Sequence, residues 1–66
     1  MSDYISMWKH VKTGKYYTIV GFAVEERTLT PVVVYQPIEA GVKTMWTRPC
    51  HEFFDGRFIQ EGRVTT

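Results

Sequence analysis

The ten-residue run at residues 16–25, Tyr-Tyr-Thr-Ile-Val-Gly-Phe-Ala-Val-Glu, constrains the fold of this chain more than any other feature. β-branched and aromatic side chains dominate the run, and such side chains pack well on the pleated surface of a sheet. No segment of the chain has a sustained helical period, so the run predicts a long β-strand. Gly21 inside it predicts a bulge or a sharp bend.

Four further short strands and one helical turn complete the predicted architecture. Turn-forming residues separate the β-rich runs at close intervals, which is typical of antiparallel strands joined by short loops. Pro49 suits the first position of a helical turn. The predicted strands are residues 7–11, 16–25, 32–38, 42–48 and 57–60, and the predicted helical turn covers residues 49–54.

These elements predict an all-β fold, namely an SH3-like small barrel of about five short antiparallel strands with one helical turn before the last strand. An open, strongly bent five-stranded sheet is the nearest alternative. We expect a single domain over residues 1–66. Its core should lie at about residues 7–60, and the C-terminal tail beyond Gly62 is expected to fray.

The short length limits the stability that a single core can provide. A chain of 66 residues buries only about 60% of its unfolded surface, and such a core supplies roughly 3–5 kcal/mol. Cys50 is the only cysteine, which excludes an intrachain disulfide and a four-cysteine zinc site. Two Trp, four Tyr and four Phe residues are one route to compensation, and pairing with a second copy is another.

The charge of the chain neither favours nor excludes any class of partner. The net charge is +1, whereas dedicated nucleic-acid-binding domains usually carry a marked basic excess. The basic residues are nevertheless unevenly placed, because Lys9, Lys12 and Lys15 flank His10. They either form a local positive patch or merely solvate a turn.

Three observations favour a cytoplasmic protein that does not engage a membrane. There is no apolar run of membrane-spanning length, and residues 1–4 lack the basic start and apolar core of a signal peptide. A single free cysteine, Cys50, is typical of a reducing compartment.

Several short motifs, specific only as a set, carry a family resemblance. In chain order they are His10-Val11-Lys12 with Gly14 and Tyr16, Val20-Gly21 with Ala23, Thr28, Val32-Val33-Val34-Tyr35-Gln36, and Trp46-Thr47-Arg48-Pro49 followed by Phe53. Over about Trp8 to Phe58 the chain thereby resembles the small bacterial and phage domain-of-unknown-function family 1653. The resemblance implies a single small domain, and it brings no activity with it.

The chain departs from the family pattern at three positions. Trp8 stands where the family more often has tyrosine, and Thr13 is an extra residue before Gly14. Thr47 replaces the more usual valine between Trp46 and Arg48, which makes that face more polar.

Trp46 and Arg48 are the first candidates for a functional site. Side chains alternate along a strand, so these two project to the same side. Indole can stack on a base or another ring, and guanidinium pairs with phosphate or carboxylate. The alternative is packing, in which Trp46 fills the barrel core and the stem of Arg48 covers the barrel end.

Tyr35 and Tyr17 lie on neighbouring predicted strands and either flank the same surface or pack in the core with hydrogen-bonded hydroxyls. Together with the basic patch, these considerations give a predicted set of ligand-binding residues. That set consists of Trp46, Arg48, Tyr35, Lys12 and Lys15.

No catalytic residue, metal site or cofactor is expected. His51 and Glu52 are adjacent in sequence and therefore share neither a strand face nor a helix face. His10 is expected to hydrogen-bond locally, and Cys50 to pack in the core or a turn. A catalytic role would require His10, His51, Cys50 and an acid to converge in one pocket, so we expect a protein that is not an enzyme.

The favoured hypothesis is a non-enzymatic binding module that recognises an anionic small molecule, such as a nucleotide, or a nucleic acid. It predicts salt-dependent binding of a phosphate-bearing ligand and loss of binding on Arg48→Ala. Because so small a domain buries little of any ligand, this hypothesis favours a homo-oligomer.

The alternative is an SH3-like protein-interaction module that binds a peptide or a host factor. It predicts an exposed aromatic patch of several hundred Å² and binding with little sensitivity to salt. Such binding would survive the removal of Arg48 better than phosphate binding would.

Overall fold

The computed structural model describes the backbone of residues 4–65 and the side chains of residues 6–62. Residues 1–3, which enter the expectation that no signal peptide is present, lie outside the described residues. Residue 66, the last of the predicted tail, lies outside them as well.

Five strands and one short helix follow one another along the chain, and every strand pair is antiparallel. The elements are β1 (Tyr4–His10), β2 (Tyr16–Glu25), β3 (Thr30–Pro37), β4 (Trp46–Pro49), α1 (Cys50–Phe53) and β5 (Phe58–Thr65). They form one sheet in the order β4-β3-β2-β1-β5. The all-β class, the five antiparallel strands and the helical turn before the last strand are confirmed.

The sheet is open and does not close into a barrel. In the part of the chain that the structure describes, β4 pairs only with β3, and β5 pairs only with β1. β4 has just four residues and ends at Pro49, whose nitrogen carries no hydrogen to donate. The fold is therefore the open five-stranded alternative rather than a closed SH3-like barrel.

The long strand β2 has the bounds predicted for it. Its pairing with β3 shifts register between Ile19 and Gly21, so Val20 is the extra residue of a bulge. The bulge lies directly before Gly21, as the glycine inside the run predicted.

The other four strands differ from their predicted bounds. β1 and β3 begin three and two residues earlier than predicted and each ends one residue earlier, whereas β4 and β5 differ most. Residues 42–45 form no strand, and β4 begins only at Trp46, opposite Tyr35 of β3. β5 was predicted to end at residue 60 but continues to Thr65, because β1 begins as early as Tyr4 and pairs with it there. The length of both strands depends on a distant partner.

The core is small and mainly aromatic. Val33 and Phe53 are fully buried, and Phe53 stacks on Phe58 with ring centroids 4.2 Å apart and planes 9° apart. Trp8 and Tyr35 meet the ring of Phe53 edge-on at 5.4 and 5.3 Å. Aromatic burial is thus one way in which this short chain obtains its stability.

A hydrogen-bonded turn joins β2 to β3. The Glu25 carboxylate accepts hydrogen bonds from the backbone N–H of Arg27 at 3.0 Å and from the Thr28 hydroxyl at 2.9 Å, and these bonds lower the pKa of Glu25. The turn ends at Leu29, whose φ is +58°. A bulky side chain in this left-handed region is strained.

We expect Leu29→Asn to stabilise the chain by roughly 0.5–1 kcal/mol, because asparagine tolerates the left-handed conformation. Leu29 is 75% exposed, so little apolar burial is lost. Thermal unfolding followed by circular dichroism should show a melting temperature a few degrees higher, and Leu29→Ala, which retains the strain, should not. A lower melting temperature for Leu29→Asn would mean that the leucine contributes packing after all.

Across residues 4–65 the structure contains no helix with the length and hydropathy that a membrane crossing requires.

Candidate ligand-binding cleft

An open cleft of about 680 Å³ lies where the turn after β1 meets the turn before β5. Basic side chains from three separate parts of the chain reach it. Its lining residues are His10, Val11, Lys12, Arg48, Asp55, Gly56 and Arg57.

Backbone contacts far apart in sequence bring these residues together. The N–H of Val11 donates to the carbonyl of Arg57 at 2.9 Å, which ties the end of β1 to the residue before β5. Asp55 and Gly56 form the tight turn expected from their sequence, and Gly56 has a φ of +107°, which favours glycine. The Asp55 side chain accepts a hydrogen bond from the backbone N–H of Arg57 at 3.2 Å.

Arg48 enters the cleft from β4 and is held by the edge of the core. Its Nε donates to the Tyr35 hydroxyl at 3.5 Å, and its guanidinium carbon lies 5.4 Å from the centre of the Phe58 ring. The hydrogen bond that Arg48 donates to Tyr35, together with the charge of Glu52, raises the pKa of the Arg48 guanidinium above its ordinary value. A flat cation fixed in this way presents a pre-oriented set of donors.

Acidic side chains in the cleft and beside it neutralise part of its charge. Arg57 contacts Glu52 at 3.1 Å and Asp55 at 3.3 Å, so its charge is paired twice. Arg48 is 3.9 Å from the same Glu52 carboxylate, which is a longer and weaker pair. Lys12 is exposed and makes no ion pair within the described residues.

His10 lines the cleft but is occupied by local contacts. Its ring packs on Phe58 with centroids 4.7 Å apart, and its Nδ1 lies 3.0 Å from the Thr13 hydroxyl. The expected local hydrogen bond is therefore present.

Of the predicted pair on β4, Arg48 lines the cleft, whereas Trp46 lies on the surface outside it. Trp46 is 52% exposed and does not fill the core, so the packing alternative for this residue is wrong. In the strand register, Trp46 lies opposite Tyr35 of β3 and Arg48 lies opposite Val33. The side chains of Trp46 and Arg48 are therefore on one face of β4. The indole is thus available on the same face as the guanidinium.

The other predicted residues do not all join this site. Tyr35 is buried in the core, where its ring meets that of Tyr17 at 5.4 Å, and only its hydroxyl reaches Arg48. Lys15 lies outside the cleft and lines a smaller depression of about 150 Å³ beside Tyr16. Of the five predicted residues, Arg48 and Lys12 line the cleft directly.

Two cleft residues, His10 and Arg57, were absent from the predicted set. Both lie next to turns that the sequence did indicate, the one around Gly14 and the one at residues 55–56. Basic residues flanking two turns were the available signal, but only the contact between Val11 and Arg57 places the two turns side by side.

The other residues considered for chemistry are dispersed. His51 is exposed on α1 and lies 3.9 Å from the Glu52 carboxylate, whereas Cys50 packs against the core. Among the described side chains, no three His, Cys, Asp or Glu residues come close enough to hold a metal ion.

Comparison with known proteins gives one match. The profile of a family described as "Protein of unknown function (DUF1653)" matches residues 6–64, which confirms the resemblance noted in the sequence. No curated protein and no solved structure gives a significant match to the chain.

Proposed function

Because the chain belongs to the DUF1653 family, whose description names no activity, we propose a function from the cleft itself. The protein is a non-enzymatic binding module that recognises the phosphate group of a small anionic molecule or a nucleic acid. One observation carries this proposal. The guanidinium of Arg48, held by Tyr35 and Phe58, opens into a cleft that Lys12 also lines.

Phosphate fits the chemistry of this arrangement. A guanidinium matches the spacing of two phosphate oxygens, and a lysine ammonium adds a point charge that is free to follow the ligand. Arg48 is partly buried and already oriented, so little side-chain entropy is lost when it binds. A neutral ligand would form no ion pair with the Arg48 guanidinium.

Trp46 favours a phosphate ligand that carries a ring. Two residues along a strand span about 7 Å, so a phosphate at Arg48 leaves an attached base or sugar within reach of the indole. Stacking of a base on an exposed aromatic ring contributes about 1–3 kcal/mol. This is the chemistry of a nucleotide, either free or within a nucleic-acid strand.

The proposal includes no catalysis, and it places the protein in the cytoplasm. His10 is engaged by Phe58 and Thr13, and Cys50 packs on the core, so neither is poised as a base or a nucleophile. The single free cysteine suits a reducing compartment.

The proposal is tested by two-dimensional amide NMR spectra during titration. Inorganic phosphate, nucleotides, cyclic nucleotides, single-stranded and duplex oligonucleotides, and a peptide mixture are added in turn. We expect saturable shifts at Arg48, Lys12 and Trp46 with a phosphate compound, and binding that weakens as salt is raised. Free nucleotides and oligonucleotides serve as separate arms that distinguish the two sources of phosphate.

Lys12→Ala should weaken phosphate binding. It should also reduce the slope of log affinity against log salt concentration by about one, as expected for the loss of one phosphate contact. Lys43→Ala is the matched control, since Lys43 is exposed between β3 and β4 and lies outside the cleft. Isothermal titration at several salt concentrations measures both. Equal affinities for the two variants, or shifts only with the peptide mixture, would contradict the proposal.

A protein-interaction module is the second candidate, and one observation favours it. Phe22 and Phe54 are both half-exposed or more, and their rings lie 6.5 Å apart at nearly parallel planes. Such a pair is an apolar contact surface of the kind that aromatic-lined peptide sites use. The peptide arm of the titration tests it, with shifts expected at these two residues rather than at Arg48.

A further inference from the structure

Residues 18–25, the second part of β2, have a neighbouring strand on one side only within the described residues. Residues 17–25 pair with β3 at every position except the bulge residue Val20, but β1 pairs with β2 only through Trp8 opposite Tyr17 and Lys9 opposite Tyr16. From residue 18 to residue 25, the side of β2 away from β3 carries no strand in the described chain. Its backbone N–H and C=O groups on that side are therefore open to a further strand.

This edge differs from the two outer edges of the sheet. β4 is only four residues long and contains Arg48 and Pro49, and the sequence of β5 contains Glu61 and Arg63. Charges, prolines, bulges and short length are the usual means by which an edge is kept from pairing, and β2 has the bulge at Val20 as its one such feature before Glu25. Residues 16–24 contain no charge and no proline at all.

Apolar side chains on the open segment are exposed as well. Phe22 is 66% exposed and Val24 is 59% exposed, and the bulge residue Val20 is half-exposed. A long, uncharged, apolar edge that stays open invites aggregation. The segment thus has the features of an edge that a further strand would cover.

We propose that residues 18–25 of β2 pair with the same residues of a second copy, in antiparallel orientation, so that the two sheets become continuous. This inference concerns a different surface from the cleft and does not depend on phosphate binding. The strand of a second copy carries the same residues, which are uncharged from Thr18 to Val24, so both β2 edges are covered at once and neither remains open to propagate the contact.

Charge decides between the two orientations. Glu25 and Glu26 follow the apolar segment at one end of β2, and a parallel pair would bring the acidic ends of both copies together. Like charges placed side by side across a sheet are destabilising. An antiparallel pair puts the acidic end of each strand beside the start of the other, near Tyr17, where Lys9 of β1 is close by.

Symmetry restricts the register of the pair. A twofold axis perpendicular to the sheet relates the two copies and keeps each side chain on the same face of the sheet in both. The residue nearest the axis must therefore lie opposite the same residue of the second copy. Within residues 18–25 the central position is then Gly21 or Phe22. A methyl group built on Gly21 meets no atom within 4 Å, so a larger side chain fits there.

The open edge of β2 is continuous with an exposed aromatic pair, which enlarges the surface that a second copy can cover. A standard interface takes about 800 Å² from each partner, which is roughly one sixth of the 4944 Å² exposed by this chain. The eight-residue edge, its exposed side chains and the neighbouring Phe54 form a continuous region through the contact of Phe54 with Phe22.

Sedimentation velocity of the full chain from about 1 µM to about 1 mM tests the proposal. We expect a reversible dimer, and we expect Phe22→Lys and Val24→Lys each to raise its dissociation constant by about tenfold or more. Ile59→Lys is the matched control, since Ile59 is an exposed apolar residue on the opposite edge strand. Circular dichroism confirms that each variant stays folded.

Cysteine cross-linking tests the register in a Cys50→Ser background. Facing Cα atoms in an antiparallel pair are about 4.5–5.5 Å apart, within disulfide range. We expect Gly21→Cys or Phe22→Cys to form a covalent dimer, whereas Thr18→Cys should not. A monomer at every concentration, a dimer weakened by Ile59→Lys alone, or cross-linking at all three positions would overturn the proposal.

Discussion

Phe53→Ala is expected to leave the chain largely unfolded at room temperature. Phe53 is fully buried and contacts the rings of Trp8, Tyr35 and Phe58. Truncating a buried phenylalanine costs about 3–5 kcal/mol, and a single core of this size supplies roughly the same amount in total. The loss of one side chain therefore removes most or all of the free energy of unfolding.

The neighbouring residue provides a matched control. Phe54 is the next residue in the chain and is 50% exposed. Phe54→Ala loses about half the burial of a phenylalanine and leaves no closed cavity, so a cost of about 1 kcal/mol is expected. Urea unfolding followed by circular dichroism compares the two variants. Cooperative unfolding of Phe53→Ala near the midpoint of the unmodified chain would show that the core lies elsewhere.

Arg48→Gln is expected to weaken phosphate binding by roughly 10- to 100-fold. A hydrogen bond to a charged group contributes about 1.5–3 kcal/mol, and each 1.4 kcal/mol corresponds to a factor of ten. Glutamine keeps part of the stem that covers Phe58, so the fold should survive. Isothermal titration with the phosphate ligand that gives the strongest NMR shifts measures the change.

Tyr35→Phe separates the charge of Arg48 from its orientation. This variant keeps the guanidinium and the core packing but removes the hydroxyl that contacts Arg48 Nε. We expect a smaller loss of affinity, with the salt dependence of binding unchanged. Arg27→Gln, an exposed position in the turn after β2, should bind as the unmodified chain does. Phosphate binding that survives Arg48→Gln intact would remove Arg48 from the site.

Local sequence patterns predicted which segments form strands, but strand pairing determines where β5 ends and whether the sheet stays open. The bounds of β2 and the helical turn after Pro49 depend on residue type within a few positions, and both are present in the structure. The end of β5 at Thr65 and the open sheet depend on which strands meet. Alternation along a strand does not reveal a distant partner, so the sequence could not determine those features.

The same division applies to the candidate site. Charge and alternation identified Lys12 and Arg48, because these properties belong to single residues or to one strand. Alternation could not tell that the face holding Tyr35 is covered by the helix residue Phe53, 5.3 Å away. Nor could it bring Arg57 to the end of β1, since that juxtaposition comes from pairing across more than forty residues.

Glu52 affects which anions the proposed site would favour, because it sets the charge that a ligand must exceed. Its carboxylate lies 3.1 Å from Arg57 and 3.9 Å from Arg48, so both cleft arginines already have an anionic neighbour within the protein. A singly charged ion such as chloride or acetate offers the two arginines no more than this tethered competitor does, and it loses translational freedom on binding. A doubly charged phosphate monoester offers more, so we expect the proposed site to discriminate against singly charged anions.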